Sequence, residues 1–377
     1  MSADASAIVW FAGVEWDGVI GTDRRIVTEI AALRPVIWID PAQRGSWRAW
    51  LRGRGHAVTP MGAITRVRVP ALPGVARWPM RAVTGVIRSA TCAWVLRGRA
   101  VHAVVVANPM TPFPRIRARR VLYLTDDWVA GAHLMGLGRA WVEGIQRGNV
   151  RQADVIAAVS PTLAETVAAD ASHARIAVLP NGAPVLAASA GGERGPLAGL
   201  VGQVNERLDL ALLEAVVAAG VGLRIVGPHR ARDAVFTERF ERLVAHPRVD
   251  WRGAVPAHEV AGHLAQIAVG LTPYTPSAFN RASSPLKTLE YLAAGVPVVS
   301  SDLPASRWLA TSDVTVCSDP EGFAAAVQQS VARRGDDGAD ARRRRFAQDH
   351  SWARRARQML ELIDSVHASG GGSDGAR

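Results

Sequence analysis

The stretch Ser283-Ser284-Pro285-Leu286-Lys287-Thr288-Leu289-Glu290-Tyr291-Leu292-Ala293-Ala294-Gly295-Val296-Pro297-Val298-Val299-Ser300 decides the fold. It predicts one helix running into one buried strand. Ser284 can accept from the first free N–H groups as N-cap, and Pro285 suits the first helical position, where its missing N–H costs nothing. Gly295 stands where the helix needs a left-handed residue to end, and Val296–Val299 has the apolar run of a parallel strand. Lys287 and Glu290 are three apart, so they share a face near the N-terminal turns. A helix N-terminus offers unpaired N–H groups and a partial positive charge, which suits a phosphate. Lys287 adds a full charge there, and Glu290 is an acceptor for a sugar diol one turn deeper. The constellation fits a nucleoside diphosphate.

Lys287 is the only lysine in the chain; every other basic side chain among the 44 is arginine. A lone lysine marks a position where a compact ammonium fits and a planar guanidinium does not. A solvated surface helix would show the same pair for no functional reason, since charged helix residues usually meet only water.

Working outward, 377 residues are too many for one ordinary core, which predicts two domains. With 49% hydrophobic and 20% charged residues the chain is globular. Cys92 and Cys317 lie far apart without ligand spacing, so a reduced cytosolic setting is expected and a metal site is not. Met1–Ser6 lacks the basic segment and long apolar run of a signal peptide. The longest apolar stretches, Ala215–Val226 and Tyr291–Val299, are broken by Gly and Pro, which excludes a spanning helix there.

The net charge of +11 is unevenly spread. From Pro41 to Thr125 there is no Asp or Glu, against fifteen arginines from Arg44 to Arg120. Such a segment presents a positive field to nucleic acid, an anionic bilayer or a phosphorylated acceptor. Trp47, Trp50 and Trp78 lie among the arginines, a mixture common at membrane interfaces. An arginine-biased composition on an ordinary surface explains the arginines but less well the missing acids.

In chain order, strand Ala7–Ala12 leads into the glycine-punctuated loop Gly13–Gly21, where Gly13, Trp16 and Asp17 wall a candidate cleft. The spacing Gly13…Gly18…Gly21 does not match the dinucleotide fingerprint, so a nicotinamide cofactor is disfavoured. Asp23 can cap the helix that follows, to Leu33, before strand Val36–Asp40. Strands Ile64–Val69, Val101–Ala107, Arg120–Leu124, Val155–Val159 and Ile176–Leu179 follow, with helices near Pro79–Arg97 and at Pro161–Ala169, the latter capped by Ser160. Asp126 and Asp127 stand at a strand's carboxyl end, where they orient a hydroxyl or stabilise positive charge; an Asx turn reads equally well. His133 follows in a Gly-rich loop. Ala183–Gly199 reads as a linker. A second alternation begins with strand Leu200–Val204 and helix Leu208–Ala219. Strands Leu223–Val226, Val249–Arg252, Val269–Pro273 and Asp313–Val316 surround the opening stretch. Arg207, in the first strand-to-helix loop, can reach a phosphate or form a surface ion pair. A basic helix Ala339–His367 with anchors Trp352, Leu360 and Ile363 precedes a Gly/Ser-rich tail, Ser369–Arg377, expected to be disordered.

Leu179-Pro180-Asn181-Gly182, Pro285-Leu286-Lys287…Glu290-Tyr291-Leu292-Ala293-Ala294-Gly295…Pro297-Val298-Val299, Val121-Leu122-Tyr123…Asp126-Asp127-Trp128 and Phe11…Glu15-Trp16-Asp17 together resemble the GT-B glycosyltransferases of group 1, family-4-like type, from bacterial polysaccharide assembly. The likeness runs from Ala7 to about His367. It implies an α/β GT-B fold of two Rossmann-like, doubly wound domains facing an interdomain cleft. Residues 1–182 would form the acceptor domain and 183–338 the nucleotide-sugar domain. Residues 339–368 would form a last helix crossing back to the first domain, and 369–377 a tail.

The resemblance implies a nucleoside-diphosphate sugar as donor, a sugar, lipid-linked or small-molecule hydroxyl as acceptor, retaining transfer, and neither metal nor cofactor. Lys287 and the N–H groups near Ser283, Ser284 and Leu286 would face the diphosphate, with Arg207 as a second cation. Glu290 would bind the ribose hydroxyls. Gly202 and Gly227 would line the donor site, and Trp251–Val255, including Arg252 and Val255, would meet the nucleobase. Asp126 and Asp127 would lie near the reacting sugar, with Trp16, Asp17 and His133 on the acceptor side. The pattern departs at Ala282, where the family has a second glutamate eight residues before Glu290, and at Gln203, where it has arginine. A cytoplasmic protein, peripheral at the inner membrane face through residues 41–125, is expected. A sugar-nucleotide epimerase of the same fold is the nearest alternative. A nucleic-acid-binding protein is the distant one, since no stacked aromatic motif or reader module is present.

Overall fold

The structure, a computed structural model, describes residues 6–18, 20–42, 58–71, 73–75, 77–186, 194–335 and 337–365. Trp47, Trp50, the middle of the expected linker and Ser369–Arg377 lie outside the described residues. The chain divides into two compact units: the chain up to Pro180 together with the segment from Trp352, and Asn181–Ser351.

The first unit is built on β1 (Ala7–Phe11), β2 (Val36–Ile39), β3 (Val58–Met61), β4 (Ile64–Val67), β5 (Val101–Val106), β6 (Arg119–Leu124), β7 (Val155–Ala158) and β8 (Arg175–Val178), in the order β3-β4-β2-β1-β5-β6-β7-β8. All pairings are parallel except β3 with β4. β1, β2 and β7 are buried at every residue, as continuous apolar strands must be when both sheet faces are covered. β3 is absent from the sequence reading. It contains Pro60, and it sits at the sheet edge, where a missing N–H is tolerated. Helix Arg139–Val150 was also not expected. Ser160 caps helix Pro161–Ala168 as expected, its Oγ accepting from the Leu163 N–H at 3.1 Å.

Asp23 departs from expectation. Helix Thr22–Ala31 has Gly21 at its N-cap, and the buried Asp23 carboxylate instead accepts from the Gly13 N–H at 2.7 Å. It therefore clamps the loop after β1 rather than the helix.

The second unit is built on β9 (Leu197–Val201), β10 (Gly222–Val226), β11 (Val249–Trp251), β12 (Val269–Thr272), β13 (Val298–Ser301) and β14 (Val314–Cys317). They are all parallel, in the order β11-β10-β9-β12-β13-β14. β9 starts inside the stretch read as linker and three residues before the expected strand. Gly199 explains this: a Cβ there would lie 2.5 Å from the Ile267 side chain, so a residue that looks like a loop glycine is a packing requirement. β13 likewise starts at Val298, because Val296 is used in closing the preceding helix. In this sheet β9 and β12 lie side by side with the strand order running outward from them, which is a topological switch point.

The expected single last helix is two, Asp337–Asp349 and Trp352–Asp364. The break falls where the His350 carbonyl leaves the helical ladder to accept from the Ala183 N–H at 2.8 Å. Trp352–Asp364 packs in the first unit against helix Thr22–Ala31, burying Trp352, Ala356, Met359 and Ile363 at spacings of one helical face. Met359, not the expected Leu360, is the fully buried anchor. His102 Nε2 lies 2.6 Å from the Asp364 carboxylate at its end.

Burial, with the Asp126 charge adding to it, pushes Asp23 from the ordinary 3.8 up to about 7, against the lowering effect of the Gly13 N–H. Between those values the folded state holds a proton that the unfolded chain has released, so stability falls as pH rises from about 4 to about 7 and is level above. Asp23→Asn keeps an acceptor for Gly13 and removes that slope. The melting temperature of the variant relative to wild type is therefore expected to rise between about pH 4 and about pH 7, whereas a constant difference contradicts the assignment.

Candidate functional site

Helix Leu286–Ala293 is held by its own phenol. Tyr291 is fully buried; its Oη accepts from the Val201 N–H at 2.8 Å and lies 3.2 and 3.3 Å from the Gly199 and Leu271 carbonyls. One hydroxyl thus ties the helix to β9 and β12 at the switch point. Burial pushes the phenol pKa up, which keeps it a neutral hydrogen-bonding group. The helix closes as expected, with Gly295 at φ +77°, the Gly295 N–H bonded to Leu292 and the Val296 N–H to Tyr291.

Its carbonyl end is covered by cations. Arg194 donates to the Ala294 carbonyl at 3.0 Å and pairs with Asp340 at 2.7 Å. Arg343 donates to the Gly295 carbonyl at 3.1 Å. Guanidinium groups offset the negative end of the helix dipole, so Arg343 and Arg344 of the basic run contribute to placing this helix, while Arg342 pairs with Asp313. At the other end no side chain caps the helix, and Pro285 itself is the N-cap. The expected cap, Ser284, is used elsewhere: its Oγ accepts from the Asn181 N–H at 3.0 Å, fastening Pro180-Asn181-Gly182 beside the helix start.

Lys287 Nζ lies 2.7 Å from Glu290 Oε2, with the lysine side chain 32% exposed and the glutamate 12%. The shared face is as the spacing predicts, and the two charges are paired on it. The lysine stem runs beside Gly202, where a Cβ would lie 3.3 Å from Lys287 Cε. Gly202 has φ +155°, and Gly227, at φ +147°, approaches it so closely that a Cβ would lie 1.8 Å from the Gly202 carbonyl oxygen. Only glycine fits at Gly227. The Trp251 indole N–H donates to the Gly227 carbonyl at 3.1 Å, which carries the contact to the β11 edge.

Arg207 is fixed on three sides. Its guanidinium centre lies 4.7 Å from the Phe279 ring and 5.2 Å from the Tyr274 ring, Nε donates to Asn280 Oδ1 at 2.8 Å, and Nη2 to Ser283 Oγ at 3.4 Å. Asn280 is buried and returns a bond to the Arg207 carbonyl at 3.0 Å. Sequence reading missed Phe279 and Asn280, which sit on the short helix Ala278–Arg281. The signal lay in the run Asn280-Arg281-Ala282-Ser283-Ser284, a polar group directly before the helix. Arg252 is not drawn in; it pairs with Asp250 at 2.7 Å. Val255 is half-buried against the apolar core.

In the first unit, Gly13 packs so tightly that a Cβ would lie 2.8 Å from the Ala107 carbonyl oxygen. The Trp16 N–H donates to Asp40 Oδ1 at 3.0 Å, and the Trp16 ring meets Trp38 edge-on at 5.1 Å. Asp17 accepts from Arg66 Nη1 at 2.6 Å, and that guanidinium holds its carboxyl below the usual range. Arg66 also donates to Asp40 at 2.7 Å, and both are buried. Neither was singled out from sequence, although an arginine in Ile64-Thr65-Arg66-Val67 must find a carboxylate if the strand is internal. Burial, then Asp40, raises Glu15 in the same loop. Asp126 is half-buried at the end of β6, near enough to act on Asp23. Asp127 instead caps the turn that follows it, its Oδ1 accepting from the Ala130 N–H three residues on at 2.9 Å, and His133 Nδ1 lies 3.1 Å from the Ala130 carbonyl.

Residues 207–361 match the family model described as Glycosyl transferase-like. The chain is 30% identical over 175 residues, 45% of its own length, to a Bacillus subtilis (strain 168) protein provisionally named as the teichuronic acid biosynthesis glycosyltransferase TuaH; it spans 43% of that relative. Among solved structures, sucrose-phosphate synthase from Thermosynechococcus elongatus superposes with a TM-score of 0.69 at 16% identity, covering 97% of this chain and 100% of that one. Anabaena HepE, solved with UDP and glucose, superposes with a TM-score of 0.65 at 13% identity, covering 95% and 99%. The fold is GT-B, and the unit that holds Arg207, Lys287 and Glu290 carries the glycosyl transferase-like region.

Proposed function

We propose that the protein moves a sugar from a nucleoside-diphosphate sugar to a hydroxyl acceptor in polysaccharide assembly. The observation that carries this is the Lys287–Glu290 pair at the uncapped N-terminus of Leu286–Ala293, beside the switch point and inside the matched region. As the donor's anomeric carbon loses its bond to diphosphate, negative charge grows on the leaving oxygens. The Leu286 N–H, expected to face the diphosphate, is taken by the Ser284 carbonyl at 2.8 Å. Lys287, Arg207 and the helix N–H groups after Leu286 are the donors placed for that charge, and the two cations are fixed before reaction, so little reorganisation is needed. Glu290 is the acceptor for the ribose diol. Asp126 is the first unit's candidate for orienting the acceptor hydroxyl.

The name of TuaH supports a bacterial glycan acceptor, and the UDP bound to HepE supports uridine as the base, with guanosine the alternative. Transfer with retention and without a metal completes the reading. Val255, half-buried on the β11 side, is the residue that borders the base in this reading. A peripheral position at the inner membrane face would bring a lipid-linked acceptor within reach.

Lys287→Ala is expected to lower kcat by about 10²–10³-fold, the effect of removing one donor from a preorganised anion site. Glu290→Gln is expected chiefly to raise the dissociation constant for the nucleotide. Steady-state kinetics and calorimetry distinguish them, and wild-type values from both variants would remove the site assignment. A calorimetric screen of UDP, GDP and ADP should find one diphosphate bound in the micromolar range and weakened in Glu290→Gln; no binding of any of the three contradicts the reading.

A further inference from the structure

Helix Met80–Val95 is solvent-exposed on the wrong chemistry. Its inner side is marked by the buried Thr84, Cys92 and Val95. Its outer side carries Ala82, Val83, Val86, Ala90, Ala93 and Trp94, all exposed; Val86 is 69% exposed and Trp94 63%. No charged residue lies on that side within the helix. Its hydroxyls offer solvent no donor: Thr84, Ser89 and Thr91 donate to the carbonyls of Met80, Gly85 and Ile87 at 2.8, 2.9 and 2.9 Å, which leaves the exposed Ser89 oxygen as an acceptor on this side. An ordinary surface helix shows water a charged face. This one shows it valine, alanine and tryptophan.

The mid-helix Arg88 is half-buried and donates to Thr111 Oγ1 at 3.3 Å, and the exposed cations stand at the two ends. Arg77 and Arg81 are exposed at the start, beside Trp78 at 75% exposure, and Arg97 and Arg99 are exposed just past the end. The helix runs about 24 Å between them. Next to its start lies a surface pocket of about 650 Å³ lined by Pro73, Arg77, Leu137 and Trp141, with the Arg81 guanidinium 5.7 Å from the Trp141 ring. No acid interrupts the surrounding sequence from Pro41 to Thr125.

We propose that this helix docks flat on an anionic lipid surface. Val83, Val86 and Trp94 enter the headgroup–acyl boundary, the flanking arginines meet lipid phosphates, and the Arg77–Trp141 pocket seats one headgroup. Charge complementarity selects this occupant: a face with exposed arginines at both ends repels a second copy of itself and attracts an anionic bilayer. An apolar helix face with tryptophan and arginine is also the composition that lies in a bilayer interface rather than across it. Among the described residues no helix is long and apolar enough to cross a membrane. The proposal gives the peripheral reading above a specific surface and is independent of sugar transfer.

The test is sedimentation of the full chain with vesicles of phosphatidylcholine alone or mixed with phosphatidylglycerol. Partition onto the mixed vesicles is expected, falling about tenfold on raising salt. Val86→Glu and Trp94→Glu, both at exposed sites and so expected to leave the melting temperature near wild type, should each weaken partition by about tenfold or more, with Trp94→Phe retaining most of it. Arg77→Ala with Arg81→Ala should remove the preference for phosphatidylglycerol. Absent or salt-indifferent partition, or partition unchanged in the glutamate variants, overturns the proposal. So does light scattering that finds a dimer dissociated by Val86→Glu and no vesicle binding. Nucleotide calorimetry on the same samples keeps failure here distinct from failure of the transfer reading.

Discussion

A single buried hydroxyl sets the position of the helix on which the donor-site reading depends. Tyr291 reaches through the floor of the second unit to the Val201 N–H and to carbonyls of β9 and β12. A helix packed only by leucine could slide or rotate on an apolar sheet at little cost, because hydrophobic contact has no direction. A buried phenol cannot, since losing its partners leaves a backbone N–H unsatisfied in the core. The consequence is orientation: Lys287 and Glu290 come from the same short helix, so fixing Tyr291 fixes them.

The helix is polarised by what surrounds its ends. Arg194 and Arg343 sit on the terminal carbonyls, balanced by Asp340 and Asp313, while the N-terminal end meets no side-chain cap. A capping hydroxyl would satisfy the same N–H groups that an anion needs. Diverting Ser284 to Asn181 removes that competition. Arg207, flanked by two aromatic rings and bound to Asn280, brings a second cation whose geometry is settled before any ligand arrives. The lone lysine and the many arginines therefore divide the work by shape: guanidinium groups fork onto carbonyls and carboxylates, and the ammonium stands at the helix start.

The first unit uses buried charge to shape a loop. Asp23 clamps Gly13, while Asp40 gathers Trp16, Trp38 and Arg66, and Arg66 extends to Asp17. Isolated, each of these groups would be costly in the interior; linked, they hold the loop after β1 in one conformation. The same unit leaves an apolar helix face to solvent between exposed arginines at either end.

How much of this was legible before the structure depends on whether the cause was local. The apolar runs of β1, β2, β7 and β12, the Ser160 cap and the left-handed Gly295 follow from side-chain chemistry at neighbouring positions, and so does the shared face of Lys287 and Glu290. Partners distant in sequence were not legible. Gly199 looks like linker until Ile267 lies against it; Ser284 looks like a cap until Asn181 arrives; Asp23 looks like one until Gly13 does. The break between the last two helices depends on Ala183, far back in the chain. Hydrogen bonds and close packing are short-ranged in space but blind to sequence separation. The sequence by itself therefore determined the alternation of elements and the face that Lys287 and Glu290 share. The tertiary structure alone decided which partner, distant in the chain, each polar group took.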